Sequence, residues 1–417
     1  MQFTVDRLEE VILDQESAFL KKDTGVPRDI DMERYLKSTH IVVISGVRRC
    51  GKSTLLRQFA ERIGEFLYIN LDDERLFDFT VSEFANLMLA FHKIRPNRRV
   101  LLMDEVQNVD QWERFVRRMH DEGYKVILTG SNAKLLSSEL GTRLTGRYLQ
   151  IELFPFSFGE YLRFQGVDTQ GVTTEKKAEL LNHFDYYLQN GGFPDYLVNA
   201  DTEILRRTYE DILFRDIVGR FGIRDVKGFR QMTRFLFSNF TKDGSYHSLK
   251  NALGMKSAMS ARSYVQYLEE AYLVFEMLNY NRSLKKQYAG TKKFYVIDNG
   301  MRNAVSYRFS GDWGRMLENL VFIELKRRGK IHYFWREKEE CDFVIEEKGH
   351  LITAIQCACR IGETNQEREV LGLLAAMNQW NIDEGILITY NQEGELPTGG
   401  TRKVNMVPAW KWLISGE

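Results

Sequence analysis

The sequence predicts an α/β fold whose first part is a mainly parallel sheet, followed by separate parts of mixed α and β character. Two observations predict the sheet. Between His40 and Asn132, short apolar runs rich in β-branched residues alternate with helically spaced segments. A glycine-bounded loop joins the first run to its helix, and polar groups fall at the ends of the later runs, where a parallel sheet holds its ligands. Length predicts the rest. At 417 residues the chain exceeds one ordinary core and implies about two to three domains.

The stretch HIVVISGVRRCGKSTLLR, His40 to Arg57, organises the first part. Ile41 to Ile44 reads as a buried strand. Gly46-x-x-x-x-Gly51-Lys52-Ser53 follows, and Thr54 to Phe59 has helical spacing. Strand, glycine loop and helix in that order make a phosphate cradle: backbone N–H groups and the positive helix end face the anion. The candidate ATP contacts are therefore Gly46, Val47, Arg48, Arg49, Cys50, Gly51, Lys52, Ser53 and Thr54. Lys52 is placed between the β- and γ-phosphates, and the Ser53 hydroxyl on Mg²⁺. Val100 to Met103 forms a second apolar strand ending in Asp104-Glu105. Asp104 suits the Mg²⁺ shell, and Glu105 can orient and polarise an attacking water. Binding alone does not need that second acid.

Composition narrows the class. Hydrophobic content of 43% and charged content of 28% fit a globular protein. Lys+Arg 58 balances Asp+Glu 58, so affinity for nucleic acid has to come from a local patch. No apolar run approaches the ~18 residues of a membrane helix, and MQFTVDRLEE lacks an apolar signal core. The expectation is a cytoplasmic protein with no membrane partner. Four cysteines make no disulfide framework. Cys341, Cys357 and Cys359 surround His350 without the C-x₂-C pairs of zinc sites, so buried thiols are expected. Cys50, inside the loop, is expected to be open to alkylation that blocks nucleotide.

In chain order, residues 1–39 read as helical, well placed to lie over an adenine base. EFLYIN, Glu65 to Asn70, is a strand; Val81 to His92 and Trp112 to Glu122 are helical. Tyr124 to Asn132 is a strand ending in Ser131-Asn132, which serves as a γ-phosphate sensor, a helix N-cap, or both. Gly141 to Arg147 then leads to a further strand and to FPFSFGEYL.

GVRRCGKST, LLMDE, LTGSN, LTGR and FPFSFGEYL together resemble the large prokaryotic group of AAA-type ATP-binding proteins with a C-terminal winged helix and a restriction-endonuclease-like domain. NGGFPD, Asn190 to Asp195, matches too, and the resemblance covers nearly the whole chain. It implies an AAA-type ATPase domain over 1–160, then a helical linker over 161–225, a winged helix over 226–293 and the nuclease-like domain over 294–417. It also implies a homo-oligomer with nucleotide at subunit interfaces, where Arg143 or Arg147 reaches a neighbour's γ-phosphate; a plain surface arginine is the alternative.

Helix, turn, helix and hairpin between Lys227 and Lys293 fit a winged helix, whose DNA face would carry Lys256, Arg262, Lys285, Lys286, Lys292 and Lys293, and Phe294 to Asp298 opens the last domain. Winged helices also dock proteins. In the nuclease-like domain the resemblance places Glu318 and Asp342 on Mg²⁺, but Gln356-Cys357-Ala358 stands where a Glu-x-Lys is needed, so no nuclease activity is expected. Two functions follow: an ATPase whose cycle controls DNA binding or remodelling, or a signalling or scaffold ATPase that contacts a protein without nucleic acid.

Overall fold

The computed structural model describes residues 3–130, 144, 146–171, 173–306, 312–362, 366–396 and 402–415. Ser131, Asn132 and Arg143 lie outside them. The chain divides into two compact units, Met1–Phe154 and Pro155–Glu417.

In the first unit, α1 (Val5–Lys21) and α2 (Met32–Lys37) precede β1 (Ile41–Gly46) and α3 (Lys52–Ile63). They are followed by β2 (Leu67–Asn70), α4 (Phe84–Ile94), β3 (Val100–Asp104), α5 (Trp112–Asp121), β4 (Lys125–Thr129) and β5 (Tyr148–Leu153). The sheet runs β2-β3-β4-β1-β5 and all its pairings are parallel. β-Branched runs buried on both faces are what such a sheet needs. Ile41 and Val43 pack with α1, α4 and α5 in one cluster, while Val42 and Ile44, equally buried, alternate to the face where α3 packs. The order puts β4 between β1 and β3, so the end of β4 sits between the phosphate loop and Asp104.

The open edge at β2 is covered by α1. Gln15 accepts from Asn70 N–H at 2.8 Å and donates to Asn70 carbonyl oxygen at 3.1 Å, giving an edge residue the partners another strand would supply. From Thr24 to Arg28 the chain crosses α3. Gln58 donates to the carbonyls of Thr24 and Val26 at 2.7 and 2.8 Å.

The second unit begins with PFSFGEYL, Pro155 to Leu162, and buried hydrogen bonds explain that motif. Phe156 N–H donates to Gly192 carbonyl oxygen at 2.8 Å, and Gly192 N–H donates to Asp298 Oδ2 at 2.8 Å. A Cβ at Gly192 would lie 2.2 Å from Phe156 oxygen, and one at Gly191 2.0 Å from Asp298, so only glycine fits either place. The helix Val226–Ser238 leads to β6 (Asp243–Gly244), the helices Tyr246–Leu253 and Ala258–Glu270, β7 (Val274–Leu278) and β8 (Lys292–Val296). The antiparallel order is β6-β8-β7. The expected boundary between 293 and 294 falls inside β8, so Phe294 to Val296 complete this sheet.

Beyond the helix Trp313–Arg327 come β9 (Ile331–Arg336), β10 (Glu340–Glu347), β11 (His350–Ala358), β12 (Glu384–Thr389), β13 (Gly394–Leu396) and β14 (Lys403–Pro408). They form a mixed sheet, β13-β14-β12-β11-β10-β9, in which β11, β12 and β14 are parallel. The two sheets of this unit touch: Tyr280 N–H donates to Phe334 carbonyl oxygen at 2.8 Å, just past the end of β7. Among the described residues, no helix is long and apolar enough to cross a membrane.

Candidate active site

The loop from Gly46 to Gly51 has the backbone its residue types allow. Gly46 has φ 139 and Gly51 φ 95. A Cβ at Gly46 would lie 2.0 Å from Leu153 oxygen on β5, so the glycine serves close strand approach as well as the turn. Val47 is buried, Arg48 half-buried, and Arg49 exposed with φ 63. Lys52 is 5% exposed, its ammonium donating to the carbonyl oxygens of Gly46 and Val47 at 3.1 and 2.9 Å. The cation therefore lies folded against the loop. Cys50 is fully buried, which corrects the expectation of a reagent-accessible thiol.

Two strands away in the sheet, Asp104 closes the site. Ser53 Oγ donates to Asp104 Oδ1 at 3.2 Å, which brings the two sequence motifs into one place. Thr129, at the end of β4, donates to the same carboxylate oxygen and accepts from Glu105 N–H at 3.2 Å. One hydroxyl thus fixes both acids. Burial pushes the Asp104 carboxyl up, and the bonds from Thr129 and Ser53 oppose that shift. Glu105 sits at φ 55, a left-handed conformation rare for this residue type, and its carboxylate accepts from Gln107 Nε2. The hydroxyl of Ser53 and the carboxylate of Asp104 form the small oxygen set a Mg²⁺ with water and phosphate ligands takes, so these residues fit that ion.

Sequence reasoning missed three supports. Arg28 is 8% exposed and donates to Cys50 carbonyl oxygen at 2.8 Å and to Phe154 carbonyl oxygen at 2.7 Å, tying the loop to the end of β5. Thr129 and Gln107 complete the set. No motif flags Arg28, because its partners are backbone atoms far along the chain. Thr129 stands two residues before Ser131 and could have been found from the rule that parallel strands end at the ligand.

Arg147 lies elsewhere. It is at the start of β5, its side chain 47% exposed and paired with Asp121 at 2.6 Å. Parallel strands place it at the end of the sheet opposite the loop, about 20 Å away for a strand of six residues.

In the second unit, Lys256, Arg262, Lys285 and Lys286 are exposed, whereas Lys292 and Lys293 are each 3% exposed. The last two do not belong to a DNA face. They stand on β8, the central strand of its sheet and covered on both sides, and alternation sends them to opposite faces. Lys292 donates to the carbonyls of Tyr288 and Gly290 at 2.8 and 3.1 Å. Lys293 reaches the carboxylates of Glu318 at 2.9 Å and Asp342 at 3.3 Å.

Comparisons with known proteins agree with the first unit. A family model described as "AAA domain" matches residues 38–162. Two described as domains of unknown function, DUF8612 and DUF4143, match 181–311 and 313–412. The chain is 37% identical over 428 aligned positions to a Methanocaldococcus jannaschii protein named "Uncharacterized protein MJ1544", covering 98% of this chain and 95% of that one. It belongs to that AAA-domain family. A second member, an "Uncharacterized protein" of Haemophilus influenzae, is 31% identical, with 82% of this chain and 90% of its own length covered. Among solved structures, AMPPCP-bound DnaA from Aquifex aeolicus matches at 14% identity, covering 64% of this chain and 92% of that one, with a TM-score of 0.27 that carries no weight. The chain is an AAA-type P-loop protein with an α/β second unit.

Proposed function

We propose that this AAA-family protein hydrolyses ATP with Mg²⁺, and that its nucleotide state controls binding of DNA by the second unit. The observation that carries the enzymatic part is the meeting of Ser53, Asp104 and Thr129 beside Glu105. The loop N–H groups would hold phosphate oxygens, joined by the Lys52 ammonium once it leaves the carbonyls of Gly46 and Val47; Ser53 and Asp104 would hold the ion, and Glu105 would polarise the attacking water. When bound, the ion offsets charge developing on the phosphate oxygens. The hydrogen bond from Gln107 orients Glu105, and Thr129 keeps Asp104 aimed at Ser53.

The expected result is that Lys52→Ala weakens nucleotide binding at least tenfold, while Glu105→Gln keeps binding and loses turnover. Normal hydrolysis by Glu105→Gln would remove the water-activating role.

Support for DNA is the exposed set Lys256 and Arg262, just before and in the helix Ala258–Glu270, with Lys285 and Lys286 on the short helix Leu284–Ala289 that joins β7 to β8. A protein partner is favoured by Met259, Leu284 and Tyr288 on the same elements, at 66%, 66% and 65% exposure. Titrating salt separates them: phosphate contacts make affinity fall steeply with salt, roughly one log-log slope unit per contact. No binding of single-stranded, duplex or branched DNA at low salt with ATP present would leave the protein-docking function.

A further inference from the structure

Glu318 projects from the helix Trp313–Arg327, and Glu340 and Asp342 from β10, into one buried place. Converging carboxylates of this kind are the usual cage of a hard divalent cation. Here an ammonium fills it. Lys293 Nζ lies 2.9 Å from Glu318, 2.5 Å from Glu340 and 3.3 Å from Asp342, and its side chain is 4% exposed. An ion shared by Glu318 and Asp342 would sit about 2.0 to 2.6 Å from each oxygen, in the space the ammonium holds, so the two cations exclude each other. The neighbours are also committed. Tyr295 hydroxyl donates to Glu318 at 2.7 Å, and Arg336 pairs with Glu340 and with Asp243 of β6. Gln356 uses its carbonyl oxygen to accept from Asp342 N–H at 3.2 Å, while Cys357 N–H donates to the other Asp342 oxygen at 3.0 Å. Among the described residues, no group of three or more His, Cys, Asp or Glu side chains could hold a metal. These residues do not fit the Mg²⁺ that a nuclease-like core implies.

We propose that the Lys293 ammonium is the permanent cation of this carboxylate site, standing where a divalent metal would otherwise bridge Glu318 and Asp342, so that β8 and β10 are fastened by charge. This goes beyond the ATPase reading and does not depend on it. A lysine that merely filled space would not need three carboxylates, and a catalytic lysine would leave a second cation room beside it.

The test uses the whole 417-residue chain without nucleotide. Tb³⁺ and Mn²⁺ are the probes, because Tyr295 lies against Glu318 and can sensitise lanthanide emission. Wild type and Lys293→Arg are expected to show no saturable Tb³⁺ site in this unit. Lys293→Met is expected to gain one, which Glu318→Gln in the same background weakens at least tenfold. Lys293→Met should also melt about 10 °C below wild type, since it leaves buried carboxylates unpaired. Part of that loss should return with Mn²⁺ or with the added Glu318→Gln. A wild type that binds the probes as tightly as Lys293→Met overturns the proposal. So does a Lys293→Met protein whose loss of folding neither Mn²⁺ nor Glu318→Gln repairs. Mg²⁺-dependent DNA cleavage by wild type, lost in Asp342→Ala, would make Lys293 catalytic instead.

Discussion

Thr129 carries more of the first unit than its plain identity suggests. Its hydroxyl is the shared partner of a buried carboxylate and of the left-handed Glu105. Thr129→Val keeps the shape and removes both bonds, so the expectation is a loss of about 1–3 kcal/mol in stability, with turnover falling further than nucleotide affinity. Melting and steady-state ATPase measurements check this. Arg28→Ala should act differently, raising the ATP requirement, because the loop carbonyl of Cys50 loses its anchor. His332 predicts a pH effect. Burial lowers its pKa from the usual 6.5 to about 4, so the unfolded chain binds its proton first as pH falls. The stability from this group is full above pH 6.5 and is lost as pH falls to about 4, by roughly 2 kcal/mol once partial exposure is discounted; His332→Phe should flatten that slope in acid melts. Gly46, Gly51, Lys52, Ser53 and the Asp104-Glu105 pair were legible because their chemistry demands fixed residue types at fixed spacing. Arg28, Gln107 and Lys293 were not, since each finds its partners through the fold. The Lys292-Lys293 pair beside Gly290 reads as a solvated hairpin tip, and alternation alone cannot tell that both faces of a strand are covered.

Elements follow the same division. β1 to β4 and the helices between them were readable because a parallel sheet buried on both sides leaves continuous apolar runs. The limit of the second unit was not, because FPFSFGEYL looks continuous with the strand before it. Only Asp298, far along the chain, shows which core the motif joins. The close pairing of β1 and β5 makes a sharp case at this scale. Gly46→Ala would drive a methyl group into Leu153 oxygen, 2.0 Å from the ideal Cβ position. The variant should part β5 from β1 and disturb the loop together, giving a protein that neither binds ATP nor melts cooperatively; a soluble, ATP-binding Gly46→Ala protein would contradict that coupling.

For the whole molecule, Arg147 sets the question of assembly. It stands at the far end of its own sheet, so it can reach a phosphate only in another copy. An arginine finger at this position would make Arg147→Ala lower hydrolysis only at protein concentrations where copies associate, whereas a surface arginine paired with Asp121 predicts no change at any concentration. A loss independent of concentration would place the arginine in a purely intramolecular role. Lys293 has a consequence for descent. Since one strand lends its charge to a neighbouring sheet, that position cannot drift by itself: a relative with a neutral residue there should also have shed acids at the places of Glu318 or Asp342, or have taken up a metal in their midst.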